Sequence, residues 1–306
     1  MSTDNSLFGP TDPAANTGYV DAPARKGFFT DTSICIGCKA CEVACKEWNE
    51  VPDDGFNMLG YSYDNTGSLN ADTWRHVAFI EQPRRLGDQE PGLRATVDLG
   101  MPLSPSVDQE DKPDFRWLMS SDVCKHCTHA ACLDVCPTGS LFRTEFGTVV
   151  VQADICNGCG YCVPACPYGV IERRKGDDGT KNVGVAQKCT LCYDRLDAGQ
   201  RPACAQACPT QSIQFGDVEE LRERANKRVE TLHEAGIMDA RLYGNDPNDG
   251  VGGAGAFFLL LDEPEVYGFP PDPVVTTRDL PDMYCRAVGA AAAMLAGAAI
   301  SFLGRR

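Results

Sequence analysis

"CIGCKACEVAC", residues 35–45, places Cys35, Cys38, Cys41 and Cys45 in eleven residues, with gaps of two, two and three. The arrangement returns three times. "CNGCGYCVPACP" (156–167) sets Cys156, Cys159, Cys162 and Cys166 at the same gaps and adds Pro167. "CKHCTHAACLDVCP" (124–137) gives Cys124, Cys127, Cys132 and Cys136 before Pro137, and "CTLCYDRLDAGQRPACAQACP" (189–209) gives Cys189, Cys192, Cys204 and Cys208 before Pro209. Sixteen of the 17 cysteines fall into these four quartets, and Cys285 is left over. After each Cys-Pro, the segments "TGSLF", "YGVIE" and "TQSIQF" close on a short β-prone run. A small unit is therefore duplicated.

The gaps carry the chemistry. A Cys-x-x-Cys turn brings two thiolates to one side of a tight loop, and a third cysteine completes a tripod. The bacterial ferredoxin run binds a [4Fe–4S] cluster in this way, and its fourth cysteine, before proline, ligates the other cluster of a pair. Proline there fixes φ and lacks an N–H, which suits a chain leaving the turn. Gly37, Gly158 and Gly160 let the backbone pass close to inorganic sulfide. Zinc usually takes two separated Cys-x-x-Cys pairs and not three ligands in one run. Disulfides between such near neighbours would be strained and would cross-link almost nothing. Iron–sulfur binding is the reading that fits.

Length and charge bound the rest. The chain has 306 residues, room for roughly two domains. A hydrophobic content of 43% supports a core, and a net charge of −15 argues against nucleic acid, whose binders carry a basic face. The cysteines are clustered, not dispersed as in a secreted disulfide framework. The polar first 33 residues contain no basic n-region, apolar h-region or twin arginine, so no export signal is expected of the chain itself. With four histidines in all and no nucleophile beside a base, no catalytic constellation is visible.

The chain resembles the iron–sulfur (β) subunits of respiratory formate dehydrogenases, among the four-cluster ferredoxin-type subunits of molybdopterin oxidoreductase complexes. The resemblance rests on "DTSICIGCKACEVACKEWNE" (31–50), "GCGYCVPACPYGV" (158–170), "QKCTLCYDRLDAGQRPACAQACPTQSIQFGD" (187–217) and "GVGG" (250–253), and covers roughly residues 28 to 270. It implies an α+β fold of duplicated ferredoxin-like modules, two bi-cluster modules with insertions and a C-terminal helix. It also implies four [4Fe–4S] clusters in crossed sets: Cys35, Cys38, Cys41 with Cys208; Cys45 with Cys189, Cys192, Cys204; Cys124, Cys127, Cys132 with Cys166; Cys136 with Cys156, Cys159, Cys162. The implied function is electron transfer from a formate-oxidising molybdenum or tungsten subunit to a membrane cytochrome b subunit, quinone or other acceptor. The same subunit in a polysulfide, dimethyl sulfoxide or nitrate reductase is the alternative.

The expected organisation is a polar extension (1–33) and a four-cluster core (34–215). In the core, one module comprises 34–50 and 187–215, the other 120–175, with an insertion at 51–119. A C-terminal region (216–283) and a hydrophobic tail (284–306) follow. The insertion, with loops "VPDDGFN" and "DNTGSLN" around the strand "WRHVAFIE" (74–81), reads as packing or subunit contact. Trp48, Trp74 and Trp117 read as core or interface anchors. His126 and His129 read as polar groups beside a cluster. "DVEELRERANKRVETLHEAG" (217–236) reads as an amphipathic helix with a capping box at Asp217 and Glu220 and a stop at Gly236. "GVGGAG" feeds the apolar run "AFFLLL", a strand, which argues against a phosphate loop. Pro264 to Pro281 reads as an extended connector. The uncharged residues 287–303 would form a helix of about 26 Å, against a hydrocarbon core of roughly 30 Å. A membrane anchor and a helix docked on a partner both remain open. Cys285, just outside, reads as an inert small hydrophobe. If the tail spans a membrane, Arg305 and Arg306 place the cluster domain at the extracytoplasmic face, exported by a partner.

Overall fold

The computed structural model describes residues 13–14, 17–54, 64, 66–82, 116–176, 179–275, 277 and 280–303. Fourteen residues of the polar extension, parts of the two insertion loops, residues 83–115 and 177–178, parts of the proline-rich connector, and Gly304, Arg305 and Arg306 lie outside the described residues.

The architecture is α+β. Its centre is a four-stranded sheet of β1 (Lys26–Asp31), β8 (Ile213–Asp217), β9 (Arg241–Tyr243) and β10 (Ala256–Leu260), in the order β8-β1-β10-β9. β1 runs parallel to β10 and antiparallel to β8. All five residues of β10 are buried, as a continuous apolar run requires when both faces are covered. Phe28, Phe29, Phe257 and Phe258 are fully buried, and Phe29 stacks on Phe257 at 5.4 Å. Gly27 admits close approach here: a Cβ would meet the Gly255 carbonyl oxygen at 2.0 Å.

Helix α6 (Val218–Glu234) covers this sheet with Val218, Leu221, Ala225 and Leu232 buried and Val229 partly so, the face expected from the sequence. Its expected capping box does not form. Asp217 makes no side-chain cap bond; it is the last residue of β8, opposite Lys26 in the register, and its carboxylate pairs with that ammonium. The end at Gly236 holds, with φ at 85° and its N–H donated to His233 O at 2.9 Å.

Two-stranded ribbons make up the rest. β2 (Arg75–Gln82) pairs antiparallel with β3 (Arg116–Val123), one residue beyond the strand expected at 74–81. β4 (Leu141–Arg143) pairs with β5 (Val149–Val151), and β6 (Glu172–Arg173) with β7 (Ala186–Gln187). β4, β6 and β8 are the β-prone runs that follow Cys136-Pro, Cys166-Pro and Cys208-Pro. Short helices lie between them: α1 (Ala40–Asn49), α2 (Ala131–Asp134), α3 (Cys162–Ala165) and α5 (Ala203–Ala207) carry cysteines, and α4 (Tyr193–Asp197) starts directly after Cys192.

The glycine loop before β10 clamps the second quartet. Thr128 N–H donates to Gly253 O at 3.0 Å and His129 N–H to Val251 O at 2.8 Å. Ala256 N–H donates to Lys125 O, also at 3.0 Å. The loop therefore packs backbone on backbone.

The connector is not extended throughout, since Pro264–Tyr267 forms a 3-10 turn. Helix α7 (Leu280–Leu303) begins seven residues earlier than position 287 and has 24 residues. Pro281 suits a first helical turn, where its missing N–H costs nothing. At 1.5 Å per residue α7 is about 36 Å long. By length and composition residues 282–303 are long and apolar enough to cross a membrane, and none of that segment is buried. Cys285 is thus exposed inside the helix, not outside it.

Candidate iron–sulfur site

The first Cys-x-x-Cys turn of each quartet uses the same backbone device. The residue before the second cysteine is left-handed in all four: Gly37 at φ 65°, His126 at 45°, Gly158 at 71° and Leu191 at 60°. This turns the loop back so that both thiols face one side. The three Cys-Pro exits share a second device. The third residue after cysteine is left-handed (Gly139, Gly169 and Gln211), and its N–H reaches back to the cysteine carbonyl at 3.3–3.4 Å.

Strand pairing then decides which cysteines meet. β1 ends just before Cys35 and β8 begins just after Cys208, and the register Thr30↔Ile213 sets the two loops side by side. Cys35, Cys38, Cys41 and Cys208 line one cavity. β5 leads towards Cys156 while β4 leaves Cys136, again antiparallel. Burial raises the Cys162 thiol to about 11, and its negative neighbours are Cys156, Cys159 and Cys136. A second cavity is lined by Cys124, Cys127, Cys132 and Cys166. Burial pushes Cys45 well up, helped by Cys189, Cys204 and Cys192, so Cys45 sits with the fourth quartet and not with its own.

The four groups follow one another. Cys41 of the first feels Cys204 of the second, Cys189 of the second feels Cys124 of the third, and Cys132 of the third feels Cys162 of the fourth. Only Cys38 and Cys159, in the first and last groups, are exposed among the sixteen.

The thiols fit iron–sulfur clusters. Burial raises Cys41 and Cys132 to about 12 and Cys192 to about 11, so these sites disfavour thiolates unless a bound cation compensates. Among the described residues no three His, Cys, Asp or Glu side chains converge on a point suited to a single metal ion.

Polar groups missed by sequence reading surround the sulfurs. Ser121 Oγ lies 3.2 Å from Cys41 Sγ, and Asn49 Nδ2 lies 3.7 Å from Cys45 Sγ and 3.9 Å from Cys192 Sγ. Ser140 and Thr138 lie 3.3 and 3.7 Å from Cys136, and Thr210 lies 3.8 Å from Cys208. Burial alone would raise Cys136, but the hydrogen bonds from Ser140, Leu141 N–H and Thr138 outweigh it and lower the thiol to about 6. The echo "CPTGS" and "CPTQS" was the available signal. His126 accepts the Val149 N–H at 3.2 Å through Nδ1, so that nitrogen serves the backbone and not a thiol. Trp48 is half-exposed and locks α1 to α4, donating to Asp194 at 2.7 Å with Arg195 stacked 4.1 Å over its ring. Trp74 donates to Ala71 O at 2.9 Å, and Trp117 meets Phe79 edge-on.

Comparison with known proteins agrees with this chemistry. Residues 34–140 and 115–218 each match a model described as a 4Fe-4S dicluster domain. The protein is therefore a ferredoxin-type electron carrier with four [4Fe–4S] clusters. It is 36% identical to the iron-sulfur subunit of nitrate-inducible formate dehydrogenase of Escherichia coli, over 84% of its own length and 76% of the relative. The formate dehydrogenase-O iron-sulfur subunit of the same organism is also 36% identical, over 86% and 79%. A polypeptide of the anaerobic dimethyl sulfoxide reductase of Escherichia coli is 34% identical over a smaller share, 65% of this protein and 76% of the relative. This protein belongs to the family of formate dehydrogenase iron–sulfur subunits.

Proposed function

We propose that this chain relays electrons from a formate-oxidising molybdopterin subunit, carrying molybdenum or tungsten, to a membrane cytochrome b, quinone or other acceptor. The observation that carries the reading is the serial order of the four cysteine groups, with exposed thiols only at its two ends. Bound [4Fe–4S] clusters supply one-electron carriers. The chain's own residues space them, exclude water from the middle, and leave Cys38 and Cys159 facing outward as points of entry and exit.

The ligand sets in this reading are Cys35, Cys38, Cys41, Cys208; Cys45, Cys189, Cys192, Cys204; Cys124, Cys127, Cys132, Cys166; and Cys136, Cys156, Cys159, Cys162. The matching strand pairs β1–β8 and β5–β4 favour two duplicated bi-cluster modules, one from 34–50 and 187–215, the other from 120–175. Helix α7 supplies a membrane anchor. The cluster domain lies at the extracytoplasmic face, carried out folded by its catalytic partner.

Cys208→Ala tests the crossed sets. Spectroscopy should show damage to the cluster held by Cys35, Cys38 and Cys41, and damage to the one held by Cys189, Cys192 and Cys204 instead would reject the pairing. Formate should reduce the clusters of the chain purified with its large subunit; reduction only by another substrate would reject the formate assignment. Protease added to spheroplasts should digest the cluster domain, and truncation before Leu280 should release it from membranes.

A further inference from the structure

Arg75 is buried in an unusual position. It opens β2 opposite Val123, the residue before Cys124, and is only 1% exposed. Its guanidinium lies 4.9 Å over the Phe28 ring, and Nη1 donates to Ser121 Oγ at 2.9 Å and Ser121 O at 3.2 Å. That same Ser121 hydroxyl touches Cys41 Sγ. Nε and Nη2 are buried with no hydrogen-bond partner among the described residues. Other buried cations near the cysteines are satisfied differently. Lys125 pairs with Asp122, Lys188 takes the carbonyls of Val149 and Cys189, and Arg143 those of Cys127 and Thr128.

Two orphaned donors on a permanently charged group need an acceptor, because an unpaired buried guanidinium is strongly disfavoured. The charge of Arg75 stands beside Cys41, through the shared Ser121 hydroxyl, and within electrostatic reach of Cys204, Cys189 and Cys45. These four cysteines come from two adjacent groups, the first and the second.

We propose that Arg75 is a shared electrostatic positioning residue for the first two clusters, its free N–H groups directed at their sulfur atoms and its charge favouring their reduced forms. The proposal rests on the ligand sets given above. Reduction adds one negative charge to a cluster, and a fixed cation in a dry interior stabilises that charge more than it would in water. Hydrogen bonds to cluster sulfur act in the same direction. One cation between two carriers raises both potentials and keeps the step between them level.

Potentiometric titration of the anaerobic protein, followed by electron paramagnetic resonance, tests this in Arg75→Gln and Arg75→Lys. With about sixteen iron bound, the number for four cubanes, Arg75→Gln should lower the potentials of two clusters and leave the other two in place. Arg75→Lys should return those two potentials most of the way. Unchanged potentials in Arg75→Gln, or an equal shift in all four, would overturn the proposal. If Arg75→Gln loses iron, Arg75→Lys decides: full iron with two near-native potentials supports the charge role, and loss of iron there too shows a packing role and overturns it. Wild-type protein without four clusters would instead defeat the ligand sets.

Discussion

Around Cys35, Cys41 and Cys208 the chain packs the four-stranded sheet, with four fully buried phenylalanines and helix α6 laid across it. Around Cys136, Cys156 and Cys162 there are only short ribbons and a core of Ala130, Leu141, Val149, Cys162, Ile171 and Ala186. The groups packed against that smaller core include Cys132, Cys136, Cys156 and Cys166. One half thus has an apolar core of its own beside its thiols, whereas in the other the thiols are much of the core. Bound clusters should therefore contribute a larger share of the stability of the ribbon half than of the sheet half.

Removal of iron should separate the two halves most visibly. Anaerobic chelation followed by hydrogen exchange should expose residues 120–176 broadly, while β1, β8 and β10 stay protected longer. Simultaneous loss in both halves would mean that the sheet also depends on its clusters.

A large core truncation should have the opposite distribution. Phe257→Ala should cost the loaded protein about 3–5 kcal/mol, read by denaturant unfolding under anaerobic conditions. Iron at the Cys136–Cys156–Cys159–Cys162 site should persist at denaturant concentrations below the transition.

Equivalent glycines probe the same contrast more finely. Gly37 and Gly158 occupy the same left-handed position in two matching quartets. A Cβ on Gly158 would meet the Gly184 carbonyl oxygen at 2.7 Å, a backbone atom, whereas one on Gly37 would meet the side chains of Met119 and Phe79 at 2.6 Å. Both alanine variants incur about 1–2 kcal/mol of left-handed strain. Gly158→Ala should be the more destabilising by unfolding midpoint, since backbone yields less than a methionine.

The smallest effect is a gain. Gln211 is exposed and left-handed where the two related Cys-Pro exits have Gly139 and Gly169. Gln211→Gly should raise stability by up to about 1 kcal/mol, visible as a small increase in unfolding midpoint.

Much of the site was legible because its rules are local. The cysteine gaps, the prolines behind three quartets and the β-prone runs after them all describe short stretches, the longest quartet spanning 20 residues, and the runs became the strands expected. The α6 face was legible for the same reason, since helical period is a short-range property. Its capping box failed because a cross-strand partner, Lys26, competed for Asp217. The start of α7 was missed because Pro281, Asp282 and Arg286 look like connector until the helix is seen to run through them.

The metal chemistry, the number of clusters and the family could be read from sequence alone, because thiol spacing dictates what a tight turn can hold. Which thiols stand together was implied beforehand only by the family resemblance; the order of the groups and the charge beside them emerged from the folded chain. Cys208 reaches Cys35 through the β1–β8 register, and Arg75 reaches Cys41 through Ser121 from a ribbon that reads in sequence as packing or subunit contact. Contacts between distant segments are set by strand pairing and burial, and no local spacing encodes them.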